Sequence, residues 1–225
     1  NIRFFEGEKA NSNELGRSLG DLGDIYVFDA FGTAHREQAS THSAINNSQE
    51  ACAGILLEKE IECLTKALNE SENPYTAIIG GAKVSTKLEL IQNINKKADH
   101  IIVGGGIANT FIKAAGYEVG KSLCEESMLE IAKDLLDKGK IILPEKVVTS
   151  LTFQGESITE KNISDVSSEE MILDQFVTSE IEDVISNSKT ILWNGPLGVF
   201  ENEYFSAGTK ELSKLIAKSN SFSIA

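Results

Sequence analysis

The stretch 77-AIIGGAKVSTKLELI-91 runs from a short apolar segment through a glycine pair into a helical pattern, and it places Lys83 and Lys87 at the junction. The order strand, glycine turn, helix recurs along the chain. HIIVG leads into ANTFIKAAG, KIILP follows a helical pattern from Met128 to Leu136, and TILWN follows one from Ser179 to Ile185. Upstream, NIRFF reads as a strand, a helix is expected near Asn13 to Leu19, DIYVF is a second strand, and a long helix begins near Ala53. Repeated strand-then-helix units predict an α/β fold with parallel sheets covered by helices on both faces. The run 53-AGILLEKEIECLTKAL-68 has apolar residues at Ile55, Leu56, Leu57, Ile61, Leu64 and Leu68, a helical period, and ends in the polar loop NESENP. It reads either as a connector between two domains or as an ordinary surface helix. The segment 146–170 is polar and irregular, as a long loop or hairpin would be.

Composition limits what such a fold can bind. The 225 residues carry a net charge of -13, with 34 Asp and Glu against 21 Lys and Arg. Nucleic-acid binding needs a broad basic face, so no nucleic-acid partner is expected. Any anion must be held by local geometry. Cys52, Cys63 and Cys124 are odd in number and lack metal-type spacing, which points to reduced thiols in a cytoplasm. No apolar run approaches the ~20 residues that span a bilayer, and no signal-like pattern opens the chain, so no membrane partner is expected. The opening on NIRFF without an initiator methionine and the end on SFSIA suggest a fragment.

Three loops carry the candidate chemistry. In open α/β sheets ligands sit beyond the carboxyl ends of strands, where loops enter helices. Gly80 and Gly81 allow a sharp turn and close approach to an anion, and a helix N-terminus there would add its dipole. Lys83 and Lys87, at i and i+4, would share one face if that helix began at or before Ala82. The pair suits a polyphosphate or is simply solvated; Val84 after the lysine rules out a Walker A loop. The second loop, 103-VGGGIANTF-111, has Gly104, Gly105 and Gly106 but Asn109 where a dinucleotide fingerprint needs its third glycine. It is a nucleotide loop or a tight packing turn. The third, 192-LWNGPLGVFENE-203, contains Asn194, Gly195, Pro196, Gly198 and Glu201. Separately, Arg3 and the stretch 29-DAFGTAHREQAST-41, with Arg36, could form a small-anion site through bidentate guanidinium contacts; His35 beside it reads as a structural histidine. A nicotinamide dehydrogenase and a diverged, non-catalytic nucleotide-binding module are the competing readings.

NIRFFEGEK, DAFGTAHR, IIGGAKVSTKLELI, IVGGGIANTFIKAAGYEVGKSL and WNGPLGVFE stand in the order and approximate spacing of the phosphoglycerate kinase family, which the chain resembles over nearly its whole length. The resemblance implies two Rossmann-like domains joined by a helix, here a partial triose-phosphate domain over 1–52, the helix over 53–69 and an incomplete nucleotide domain over 70–225. It implies a cytoplasmic, monomeric glycolytic enzyme that transfers a phosphoryl group between 1,3-bisphosphoglycerate and ADP, giving 3-phosphoglycerate and ATP, with Mg2+ bound to the nucleotide. By motif, Arg3 and Arg36 would bind the triose phosphate. Lys83 would contact the transferred phosphoryl group as the catalytic residue, and Lys87 the nucleotide phosphates. Gly81, Gly105 and Gly106 would line the nucleotide pocket, and Asn194 and Glu201 would lie near the adenosine and its ribose. The family's early substrate-binding segment and its later metal-binding aspartate would fall outside residues 1–225, so no metal ligand is assigned here and this stretch alone is expected to be inactive. Where the family reads Asp-Ile-Gly-Pro, this chain has Asp174-Gln175-Phe176-Val177, a departure at the adenine-side wall that reads either as a tolerated bulkier loop or as relaxed selection on the nucleotide site.

Overall fold

The computed structural model describes residues 1–225, which divide into two compact units, Asn1–Leu68 and Asn69–Ala225. The first unit contains helix α1 (Asn13–Gly20), strand β1 (Ile25–Phe28), helix α2 (Ala44–Asn47), strand β2 (Glu50–Ala53) and most of helix α3 (Ile55–Asn69). β1 and β2 pair in parallel, Ile25 opposite Glu50. Two local signals set α1: Ser12 accepts a hydrogen bond from the Leu15 amide as N-cap, and Glu14 sits in the first turn. NIRFF is not a strand. Residues Ile2–Phe4 form a 3-10 turn because the Asn1 side chain accepts from the Arg3 amide and pulls the chain round.

The second unit begins with β3 (Tyr75–Ile79), α4 (Leu88–Asn95), β4 (His100–Val103), α5 (Gly105–Ala114), α6 (Leu129–Leu136) and β5 (Ile141–Ile142). There follow β6 (Lys146–Ser150), β7 (Thr159–Asn162), β8 (Met171–Gln175), α7 (Ser179–Asn187), β9 (Thr190–Asn194), α8 (Ala207–Lys218) and β10 (Phe222–Ile224). Five strands make an all-parallel sheet in the order β10-β9-β3-β4-β5. Alternation along the strands feeds two cores. Tyr75, Ala77 and Ile79 face Ile91, Ile107, Phe111 and Leu135 from α4, α5 and α6. Ile78 and Ile102 turn the other way, onto Ile181 and Ile185 of α7 and Leu212 and Ile216 of α8. Every residue of β3 is therefore buried, as a strand covered on both faces must be.

The segment 146–170 contains the expected hairpin, β6 with β7, and β8 joins the other side of β6 to complete an antiparallel sheet. No helix of the chain is long and apolar enough to cross a membrane. Beside this small sheet Lys161 donates to both oxygens of Glu170 at 2.8 Å, and the Ser167 amide donates to Oε2 at 3.0 Å. Burial alone would raise the Glu170 pKa, but the Lys161 and Ser167 contacts outweigh it and hold the carboxyl down to about 2. With the folded pKa below that of an ordinary glutamate, the ionised carboxylate stabilises the fold above pH ~4.5 and this contribution is lost as pH falls from there towards 2. Glu170→Gln should cost on the order of 1–3 kcal/mol at pH 7. In urea denaturation the gap from wild type should shrink at pH 3, and a gap of equal size at both pH values would refute the assignment.

Candidate functional site

β9, β3 and β4 are neighbours, so the glycine loops that follow them meet at the carboxyl ends of the strands. Chain order reverses at β3, with β4 and β5 to one side and β9 and β10 to the other, and a crevice opens at such a switch point. Backbone bonds knit the loops: Gly80 N–H donates to the Asn194 carbonyl at 2.9 Å, and Gly105 N–H to the Leu197 carbonyl at 2.8 Å. Gly105 adopts φ +62°, a left-handed conformation that favours glycine. At Gly106 a Cβ would stand 2.3 Å from the Ala82 carbonyl oxygen, so the approach of the loop after β3 to the start of α5 admits no side chain.

The lysines are not held by a helix. α4 begins at Leu88, one residue past Lys87, so the i, i+4 argument fails for Lys83 and Lys87 and the dipole end near Gly81 belongs to α5 instead. Tertiary contacts hold the segment 82–87 out of the helix. Val84 is fully buried in the larger core, and Glu125 accepts from the Ser85 amide at 2.8 Å and the Ser85 hydroxyl at 2.5 Å. Burial works against the ionised Glu125, but its bonds from Ser85 and Val84 and the nearby Lys83 charge hold its pKa below the usual glutamate value. Lys83 itself is exposed, with no hydrogen bond or ion pair from its ammonium.

Lys87 differs in every respect. Its Nζ donates to the Gly80 carbonyl at 2.7 Å, to the Asn194 carbonyl at 3.2 Å and to the Asn194 side-chain oxygen. An ammonium has three donors, and here each has an acceptor, one on the loop after β3 and two on Asn194, the last residue of β9. Burial lowers the Lys87 pKa from the ordinary lysine value. Asn194, expected near the nucleoside, thus meets Lys87 first.

A cavity of about 240 Å3 opens beside these loops. Gly81, Ala82, Gly105, Gly106 and Asn109 form one wall, and Pro196, Gly198, Val199 and Glu201 a second. Leu123, Phe153 and Met171 to Leu173 supply the apolar remainder. None of Asp174 to Val177 lines it, and Asp174 packs behind the lining residue Gly198. Gln175 Nε2 donates to the Val103 carbonyl at 3.0 Å and Phe176 packs against the small core of Val148, Leu173 and Phe205. Asp174 is buried, its Oδ2 accepting from the Gly208 amide at 3.0 Å while Oδ1 has no partner. Burial pushes its carboxyl up to about 6 against the opposing amide bonds.

In the first unit Arg3 is exposed and Arg36 half-buried, and neither guanidinium makes a hydrogen bond or ion pair within the chain. The profile of the phosphoglycerate kinase family matches residues 1–225. The chain belongs to the phosphoglycerate kinase family. It is 49% identical over 228 residues to the phosphoglycerate kinases of Vibrio campbellii and Haemophilus influenzae, covering 100% of this chain and 59% of each relative. The solved phosphoglycerate kinase of Coxiella burnetii is 44% identical and superposes with a TM-score of 0.82 over 99% of this chain and 60% of that one. That of Pyrococcus horikoshii, at 30% identity, gives the same TM-score over 98% of this chain and 60% of its own. The chain thus spans about three fifths of the length of the phosphoglycerate kinases it matches.

Sequence motifs locate the glycines of this cavity, Leu123 and Glu201, but not Phe153 or Met171 to Leu173. No local signal marks those four, because long-range pairing of β6 with β8 and of loop with loop brings them there. Gly106→Ala should destabilise the second unit by about 1–3 kcal/mol, since the Ala82 backbone must move. Gly32→Ala, where a Cβ meets nothing within 4 Å, serves as control and should stay within about 0.5 kcal/mol of wild type in the same denaturation experiment.

Proposed function

We propose that the protein carrying this chain is a phosphotransferase with a carboxyl group as acceptor, moving a phosphoryl group between 1,3-bisphosphoglycerate and ADP to give 3-phosphoglycerate and ATP. The observation that carries this reading is the meeting of three glycine loops around one cavity at the switch point of a parallel sheet, in a chain of this family; Lys83, Lys87 and Asn194 do not line the cavity but sit on the same loops, one residue from the lining Ala82, seven residues after Gly80 and one residue before Gly195. In the forward direction a terminal phosphate oxygen of ADP attacks the acyl-phosphate phosphorus, the new P–O bond forms as the bond to the carboxyl oxygen breaks, and the carboxylate leaves. Such transfer needs mainly positioning and charge stabilisation.

Gly81, Gly105, Gly106 and Glu201 are assigned to the nucleotide, with Glu201 towards its ribose and the apolar wall towards its base. Asn194 and Lys87 are assigned to its phosphates and nearby nucleoside. Because Lys87 already uses three acceptors, a phosphate gains it only by displacing one of them. Lys83 is assigned the transferred group, since its ammonium makes no hydrogen bond or ion pair within the chain and Glu125 acts on it only through space. Arg3 and Arg36 are assigned to the phosphoglycerate, and α3 the role of connector between the parts before and after it. Mg2+ would arrive with the nucleotide phosphates and offset their charge. The chain gathers no group of three or more His, Cys, Asp or Glu side chains, so no residue here is assigned to hold the ion and no step is routed through it. A cytoplasmic monomer completes the proposal; Cys52, Cys63 and Cys124 are free thiols, in keeping with a reducing compartment.

In the full-length natural chain, Lys83→Ala should lower kcat about 100- to 1,000-fold while the KM for ADP changes less than about threefold, since an interaction that strengthens in the transition state acts on turnover. A rise in KM for ADP with kcat intact would remove Lys83 from the transferred group. Arg36→Ala should weaken 3-phosphoglycerate binding about 10- to 100-fold by calorimetry and leave ADP binding unaltered. Equal loss of both ligands would make Arg36 a structural residue.

A further inference from the structure

Glu8 is a carboxylate with no part in the reading above, yet it is only 2% exposed and has no cationic partner in the chain. Its two oxygens turn to a single residue. Oε2 accepts from the Ser40 amide at 3.0 Å and Oε1 from the Ser40 hydroxyl at 2.6 Å, while the Glu8 carbonyl accepts from the Ala39 amide at 2.9 Å. Ser40 lies four residues after Arg36. The intervening turn is closed by the Thr41 hydroxyl, which donates to the Arg36 carbonyl, and the Tyr26 hydroxyl donates to the Ser40 carbonyl at 2.8 Å. Glu8 therefore joins the segment that follows Arg3 to the loop that carries Arg36.

A buried carboxylate satisfied only by neutral donors is a poor way to stabilise a fold, because an apolar filler of similar volume avoids the desolvation cost. What it supplies is direction: three acceptors in fixed places leave the Ala39–Ser40 backbone one position. We infer that Glu8 is a positioning residue, which sets the orientation of the Arg36 loop for the phosphoglycerate. The inference rests on the assignment of Arg36 proposed above. Misplacing a binding group by about 1 Å is enough to change ligand recognition strongly.

The test is steady-state kinetics on the full-length natural chain with Glu8→Ala, Glu8→Gln and Ser40→Ala. Glu8→Ala should raise the KM for 3-phosphoglycerate about tenfold, with the KM for ATP unchanged and kcat altered less than about threefold. Glu8→Gln should return the KM to within about threefold of wild type, since the amide keeps an acceptor for the Ser40 N–H and gains a donor for the hydroxyl oxygen. Ser40→Ala, which removes one of the two side-chain contacts, should give a smaller rise in the same direction, and with Glu8→Gln it carries the test should Glu8→Ala fail to fold. A lowered Tm with an unchanged KM for 3-phosphoglycerate across the variants would make Glu8 a packing residue and overturn the inference alone. A wild type that does not phosphorylate 3-phosphoglycerate would overturn the functional assignment, and the positioning role with it.

Discussion

Four backbone hydrogen bonds carry the β9–β3–β4 pairing past the ends of the strands, and the geometry of the cavity between the glycine loops follows from them. Gly80 donates to Asn194 and Gly104 to Ile79, so the ladder continues for one residue beyond β3 and β4. Gly105 then donates to Leu197 and Ile107 to Gly81, which turns the start of α5 into a joint shared by all three loops. Two of the first amides of α5, those of Gly105 and Ile107, are consumed this way. A helix N-terminus normally has unpaired donors to offer an anion. Here the fold uses some of them to set the walls, and the remaining polarity is local.

The acidic chain resolves its charge problem by giving its two site lysines opposite surroundings. Lys87 is partly desolvated, its pKa lowered by burial, and its three donors are spent on Gly80 and Asn194. It behaves as a tie between the loops after β3 and β9. Lys83 is exposed on a segment pinned at Val84 by burial and at Ser85 by Glu125, so its backbone is held while its ammonium is not. The chain's overall net charge of -13 is no obstacle over such distances, because screening confines exposed charges to about 8–10 Å.

Much of this was legible in the sequence. Alternating apolar runs and helical periods located β3, β4, β9 and the helices between them, and a glycine cluster after each of these strands implied convergence before any coordinates. What the sequence did not show has several physical origins, tertiary in one place and local in another. Residues 82–86 have helix-compatible composition, but Val84 is drawn into a core and Glu125 reaches across from a distant loop, so tertiary contacts override local propensity and delay α4 to Leu88. At the start of the chain the apolar NIRFF has strand-like composition, but the Asn1 side chain closes a tight turn over Ile2–Phe4. β8 carries the short apolar run MIL, too short for periodicity to assign without knowledge of its partner β6.

The segment Asp174 to Val177 shows why a departure from a family motif must be read by where its side chains point. Replacing a glycine and a proline by larger residues beside a nucleotide pocket would fill it. In this chain the bulk goes inward instead: Phe176 enters the small core, and Gln175 reaches the Val103 carbonyl at the last residue of β4, immediately before the Gly104 loop. The Gln175 amide thereby braces from behind the same loop that the cavity lines from the front. Asp174, one residue earlier, accepts from the Gly208 amide in the first turn of α8, where the helix dipole favours a negative group although burial opposes its ionisation. The cavity wall is then left to Met171, Ile172 and Leu173, whose positions are set by pairing with β6 and by the Ser122 hydroxyl that accepts from the Ile172 amide at 2.8 Å. Support and lining are carried by different residues of one strand, so the supporting end can change its chemistry while the apolar wall keeps its place.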